Sequence, residues 1–439
     1  MLLFPALDQT IEFTAHAIRN GELSCVAVVE RCLAQIDEHE ASVRAWVSVD
    51  REGALRQARS LDADLRNGQW RGDLHGIPIG IKDIVDVAGS VTGAGSSWFA
   101  QQPPASFDAE IVRRLREAGA IILGKTVTTQ FACFDPPVTR NPWSLDRTPG
   151  GSSSGSAAAV ATGMCLGAIG SQTGGSLTRP ASFCGVVTCK PSFGAVPLEG
   201  IVPLAPSMDH PGPIARTCRD TAILLAVISG DTCGSLSVLA QSPSEPPRIG
   251  RLRGFFESQV EASYQTLLDE TLRRFVAEGA VLVDVSVPMN FEDVIAHHRT
   301  IMTTEAAAFH QSHFERHRAD YGPCIASLVE QGLAVKAVEY LSAQAQQQTL
   351  RSQLLAAMNE VDVLVTPATT GPAPDTATTG DPRMNAPWSF TGFPTVSFPI
   401  GIAADGLPLA LQCIGRPFAE TQLFAAALWC ESVVSGPAN

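Results

Sequence analysis

The chain has 439 residues, 45% hydrophobic and 17% charged, a globular balance that excludes a disordered or fibrous protein. A formal net charge of −13 speaks against a nucleic-acid partner, and it means that an anionic substrate needs a local cationic group. The 11 cysteines are odd in number with no CxxC pair, which points to free thiols in a reducing compartment, and Cys165, Cys184 and Cys413 read as small packed hydrophobes.

The opening MLLFPALDQTIEF has no basic n-region, so it does not read as a secretory signal. The longest weakly polar run, 157–170, is too short and glycine-rich to span a bilayer. The expectation is a soluble, cytoplasmic protein with no membrane partner. The first 60 or so residues read as helical. Ser24 can cap a run whose Val28, Val29, Cys32, Leu33 and Ile36 share one face. IPIGIKDIVDV (76–87, with the preceding glycine) reads as a buried strand, and EIVRRLREAGA followed by IILGK as helix then strand. A glycine- and serine-rich centre spans 149–192. A proline-rich loop is expected at 243–250, then helices at roughly 264–279, 291–317 and 337–360. VDVLVTP, GFPTVSFPIG and LPLALQCIG read as buried strands, and a closing helix is expected through 420–432. The alternation indicates an α/β fold with helices on both faces of the sheet.

Two segments carry the chemistry, TPGGSSSGSAAAVATG (148–163) and GSQTGGSLTRPASFCG (170–185). Glycine and serine beside apolar elements let backbone approach a ligand and aim several N–H groups at one point, as an acyl-transfer enzyme needs for a developing oxyanion. Lys82 lies inside an apolar strand. Lowering a lysine pKa from about 10.4 to about 7 requires roughly 4–5 kcal/mol of preference for the neutral amine, which can then act as a general base. The competing reading pairs Lys82 with Asp83 or Asp86 at a sheet edge.

GIPIGIKD around Lys82, PGGSSSGSAAAVATG and TGGSLTRPASFCG together resemble the amidase signature family. Weaker similarity runs through ILGKT, SMDHPGPIART and TGFPTVSFPIG…GLPLALQCIGRP. The resemblance implies an amidase signature fold, a large twisted mixed β-sheet covered by helices on both faces, as one domain over 1–439. Residues 60–200 would form the catalytic core, and the mostly helical 250–360 would set specificity with loops near 133–140 and 370–390. It implies a Ser–cis-Ser–Lys triad: Ser176 as nucleophile, Ser152 as bridge after a cis Gly151–Ser152 peptide, and Lys82 as base. Thr173, Gly174, Gly175 and Ser176 map onto the oxyanion hole, and Gly151 and Arg179 onto substrate binding. The implied activity is hydrolysis of a carbon–nitrogen amide through an acyl-enzyme, with no metal or organic cofactor. The implied partner is a small amide, and a homodimer is common among relatives.

Departures from the family pattern narrow this. Gln172 stands where many members have Asp, and Thr178 where many have Arg; the arginine is Arg179, one residue later. That form resembles the malonamidase-like branch, in which the arginine grips a substrate carboxylate, so a carboxylate-bearing amide is expected; the alternative is an internal ion pair of Arg179. Ser154 replaces a frequent glycine and is expected to be tolerated. Gln130 replaces a glutamate. The glutamine-hydrolysing A subunit of a tRNA-dependent amidotransferase and a catalytically dead amide-binding homologue are the other readings. GSSSG also matches a nucleophile elbow centred on Ser153, but that motif needs a strand before it and TPGG supplies none. His297, His298, His310, His313 and His317 lie at helical spacing without HExxH and read as a solvated helix face.

Overall fold

The structure is a computed structural model that describes residues 10–230 and 245–436. Most of the chain start read above for a signal, and the first two positions of the 243–250 loop, lie outside these residues.

Eleven strands form one mixed sheet. In chain order they are β1 (Trp46–Val49), β2 (Pro78–Lys82), β3 (Ile121–Thr126), β4 (Gly167–Gln172), β5 (Val187–Lys190), β6 (His210–Ala215), β7 (Arg248–Leu252), β8 (Val281–Val285), β9 (Val363–Pro367), β10 (Thr395–Ile402) and β11 (Pro408–Ile414). Their spatial order is β1-β3-β2-β4-β6-β5-β10-β11-β9-β7-β8. β2 runs parallel to both β3 and β4, whereas β6 is antiparallel to β4 with His210 opposite Gln172. Every residue of β2, β3, β4, β5 and β6 is buried, so both faces of the sheet's centre are covered. The C-terminal ends of β2 and β4 and the start of β6 therefore meet at one edge of a dry layer.

Several expectations are corrected. The first 60 residues are three helices, Ile11–Arg19, Cys25–Val43 and Arg51–Arg66, interrupted by β1. WVSV suits a strand through its β-branched and aromatic residues, and it pairs with β3. Ser24 caps its helix as expected, its Oγ accepting from Ala27 N at 3.0 Å. The strand expected from residue 76 ends at Lys82, whose carbonyl accepts the N–H groups of Ile84 and Val85 in a closing turn. Within the expected 243–250 loop, β7 begins at Arg248 and pairs with β8 and β9. The three expected helices occur at Ala262–Ala277, Phe291–Phe314 and Ala337–Ala357, with a fourth, Pro323–Ala334, that periodicity had not separated. Proline at its first turn needs no N–H partner there.

No disulfide joins any of the cysteines among the described residues. No helix among them is long and apolar enough to cross a membrane.

Candidate active site

The helix Ser154–Ala161 is buried along its whole length, and its small side chains make that possible. A Cβ on Gly155 would lie 2.1 Å from the Ala45 carbonyl and 2.4 Å from Val127 N. That close approach seats the preceding Gly151–Ser153 turn over the end of β2. The Gly151–Ser152 peptide is cis.

Lys82, at the last position of β2, has no exposed surface. Its Nζ lies 2.7 Å from Ser152 Oγ, 2.9 Å from Ser171 Oγ and 3.1 Å from Ser153 Oγ. These partners are all neutral hydroxyls. Burial pushes the amine well below its ordinary value; the Asp209 charge opposes that push and the Arg179 charge adds to it. The alternative pairing is excluded. β2 is an interior strand, Asp83 pairs with Lys125 at 2.9 Å, and Asp86 accepts from Thr92 at 2.7 Å.

Ser176 follows β4 in the turn Thr173–Ser176, and its carbonyl accepts from Ser153 N at 3.2 Å. That bond ties the two glycine-rich segments together. Gln172 organises the far side of the turn. Its Oε1 accepts from Leu177 N and Thr178 N, both at 3.0 Å, and its Nε2 donates to Ser389 Oγ at 3.2 Å. A neutral amide thus satisfies the first donors of the helix Thr178–Cys184. Thr173 gives its hydroxyl to Asp209, which also accepts from Leu204 N (2.9 Å) and Ala205 N (3.1 Å). Burial raises the Asp209 carboxyl above its usual range.

Arg179 is almost fully buried. Its Nη2 donates to the Gly151 carbonyl at 3.0 Å, its Nε to Gly175 O at 3.4 Å, and its Nη1 to Gly380 O. Burial lowers it to about 10, with the Asp381 charge working against that. Ser154 donates to Gly150 O at 2.6 Å, so it stabilises the turn rather than merely fitting it. Gln130 bridges to the helical region, donating to Asp320 O at 2.7 Å and accepting from Gly322 N at 2.6 Å.

Sequence reasoning missed four residues here. Ser153 had been weighed only as a rival nucleophile, yet it precedes its helix without a strand before it and sits under Lys82. Asp209 and His298 reach the site through tertiary packing, whereas Ser171 lies within the segment 170–185 already singled out and was given no role there. The histidine reading is corrected: His298 and His310 are buried, and both are held down to about 4 by that burial. His298 Nε2 lies 2.8 Å from the Thr173 carbonyl, His310 Nδ1 3.2 Å from Tyr321 OH, and His313 stacks on Trp98 and meets Asp320 at 3.1 Å. Among the described residues no group of three or more His, Cys, Asp or Glu side chains converges as a metal site would require.

The Amidase family matches residues 27–424, and the chain belongs to that family of amide-hydrolysing enzymes. An amidase from Pseudomonas putida is 35% identical, over 97% of this chain and 96% of its own. The A subunit of the glutamyl-tRNA(Gln) amidotransferase of Carboxydothermus hydrogenoformans is 34% identical, over 93% of this chain and 94% of its own. The X-ray structure of the peptide amidase from Stenotrophomonas maltophilia superposes with a TM-score of 0.85 at 29% identity, covering 97% of each chain.

Proposed function

We propose that this enzyme cleaves the C–N bond of a small amide through a Ser176 acyl-enzyme, with neutral Lys82 as base and Ser152 as relay. The observation that carries the reading is Lys82: a fully buried amine met by three hydroxyls. The contacts accommodate a neutral amine. Ser153 Oγ donates to Ser171 O at 3.2 Å and accepts from Ser171 N at 3.1 Å, so it takes an N–H from Lys82. A neutral amine has two N–H groups, for Ser153 and Ser171, and one lone pair facing Ser152, its nearest partner.

Lys82 then takes the Ser152 proton while Ser152 takes the Ser176 proton, and Ser176 Oγ bonds to the amide carbon. The oxyanion rests on the backbone N–H groups of the Thr173–Ser176 turn; removing one such donor typically loses about 100- to 1000-fold in kcat. Ser152 returns a proton to the nitrogen as the C–N bond breaks, and water hydrolyses the ester by the same relay. This chemistry asks for no cofactor.

The narrower expectation, a substrate carboxylate held by Arg179, is opposed by the contacts of the guanidinium. They support a different role, which we propose instead: Arg179 holds the carbonyl of Gly151, beside the relay serine, and the substrate needs no carboxylate. Neither the malonamidase-like branch nor the internal ion pair is favoured by that arrangement. Against the amidotransferase reading stand Gln172, Thr178 and Arg179. The cysteines, none of them disulfide-bonded among the described residues, fit action in a reducing cytoplasm.

The test is ammonia release from neutral and carboxylated short amides by the purified chain alone. Turnover without a partner, lost in Ser176→Ala, supports the proposal. Turnover only when an amidotransferase partner is added supports the amidotransferase reading, and undiminished turnover in Ser176→Ala sinks the mechanism.

A further inference from the structure

We infer that His298, on the helix Phe291–Phe314, is a positioning residue that aims the oxyanion hole, an inference resting on the hydrolytic reading of Ser176. His298 is 3% exposed and its Nε2 lies 2.8 Å from the Thr173 carbonyl oxygen. A carbonyl only accepts, so Nε2 carries the proton. Burial keeps the imidazole neutral at working pH, and that N–H is then its single donor.

The Thr173 carbonyl and the Gly174 N–H belong to one trans peptide, and in such a plane they point in opposite directions. Holding the carbonyl toward the helix therefore turns the Gly174 N–H the other way. The turn needs such a hold. Gly174 and Gly175 follow each other, and glycine leaves peptide planes free to rotate. Asp209 grips the Thr173 side chain and Gln172 grips Leu177 and Thr178 downstream, but His298 grips the peptide plane itself. The ring also lies against the residue it orients: a Cβ on Gly174 would stand 3.5 Å from His298 Cε1. With that N–H gone, the carbonyl is free to turn into the hole and replace a donor by an acceptor.

The helix bearing His298 belongs to the region expected only to set specificity. The inference assigns it a direct part in the rate of the chemical step as well.

The test uses a fluorophosphonate probe, which needs no knowledge of the natural amide. Ser176 Oγ bonds to phosphorus, fluoride leaves, and the phosphoryl oxygen takes the place of the carbonyl oxygen in the hole. His298→Leu, which keeps bulk and removes the donor, is expected to label about 100-fold more slowly than wild type. His298→Gln, whose amide reaches the Nε2 position, is expected to recover most of that rate, whereas His298→Asn, one bond shorter, is not. Melting temperatures of all three are recorded. If His298→Leu does not fold, the Gln-against-Asn difference decides. Wild-type labelling rates in His298→Leu, or equal slowing in folded Gln and Asn variants, would overturn the inference. Labelling that survives Ser176→Ala would instead bring down the hydrolytic reading beneath it.

Discussion

Two buried lysines lie near the ends of neighbouring strands of the sheet, and their surroundings differ. Lys82 closes β2; Lys125 lies on β3, opposite Ile81 in the register. Lys125 meets the Asp83 carboxylate at 2.9 Å and also reaches Thr92 Oγ1 at 3.2 Å. Lys82 meets hydroxyls alone. Burial is common to both, so burial by itself does not make a base. The partner decides: a carboxylate stabilises the ammonium, whereas hydroxyls that can both give and take protons leave the neutral form competitive. The same chain segment, Lys82-Asp83, supplies the proposed base on one side and the carboxylate that pairs with Lys125 on the other.

The largest effect that sharpens this contrast is on turnover. Ser176→Ala is expected to abolish it and Lys82→Met to reduce kcat by about 1000-fold or more, as loss of a base within a unit does. Lys125→Met is expected to keep the site's pH profile and to lose about 3–5 kcal/mol of stability in urea unfolding, because Asp83 is left buried and unpaired. A matching collapse of kcat in a folded Lys125→Met would break the contrast.

The pH dependence follows from the same difference. The folded Lys82 titrates below its ordinary value, so between the two values the unfolded chain binds more protons. Its burial therefore costs stability at neutral pH, and that cost fades as pH rises toward about 10.4. Activity should fall about tenfold per pH unit below the folded value. Lys82→Ala should lose that acid limb and regain some rate at high pH as hydroxide takes over; an unchanged profile would remove Lys82 as base.

Arg179→Ala offers a smaller test, on the far side of Ser152. Loss of the hold on Gly151 predicts about 10- to 100-fold lower kcat on neutral and carboxylated amides alike. Loss confined to carboxylated amides would restore the clamp. The smallest effect lies away from the site. Glu431 is half-buried against the helix Cys218–Ser229, accepts from Cys218 N at 3.0 Å, and is raised by desolvation to about 7. A raised carboxyl contributes stability below its unfolded value that is lost as pH climbs through the folded one. Glu431→Gln should accordingly gain about 1–3 kcal/mol at pH 8 and little at pH 4, read from paired denaturant curves.

How much of this was legible follows from where each signal lies. Strands such as VDVLVTP and helices such as 291–314 announce themselves by composition and period, and the positions of Lys82, Ser152 and Ser176 stand in glycine-rich segments that are local by nature. β6 was not legible. HPGPIA carries two prolines, which argue against an interior strand. It is accommodated because β5 pairs only with Ala215 and Ile214, beyond both prolines, and the Thr188 hydroxyl takes the Pro213 carbonyl at 2.8 Å. His298 was read with its neighbours as part of a solvated helix face because no HExxH motif or ligand cluster accompanies it; its burial is set by the turn it packs against, 125 residues earlier. Asp209 was missed for the same reason, whereas Ser171 stood inside the segment 170–185 without a role assigned to it. Arg179 shows the converse: its position was legible, but the direction of its donors was not, since the Gly380 carbonyl comes from a distant loop.

The most direct measurement is the nitrogen-15 spectrum of lysine side chains. The chain contains only four lysines, Lys82, Lys125, Lys190 and Lys336, so the signals are few and Lys82→Met assigns the one of interest. A Lys82 resonance with the shift of an uncharged amine at pH 8, turning to ammonium on acidification in step with the fall in kcat, is the predicted result. An ammonium signal that persists to pH 10 while the enzyme turns over at full rate would contradict the account.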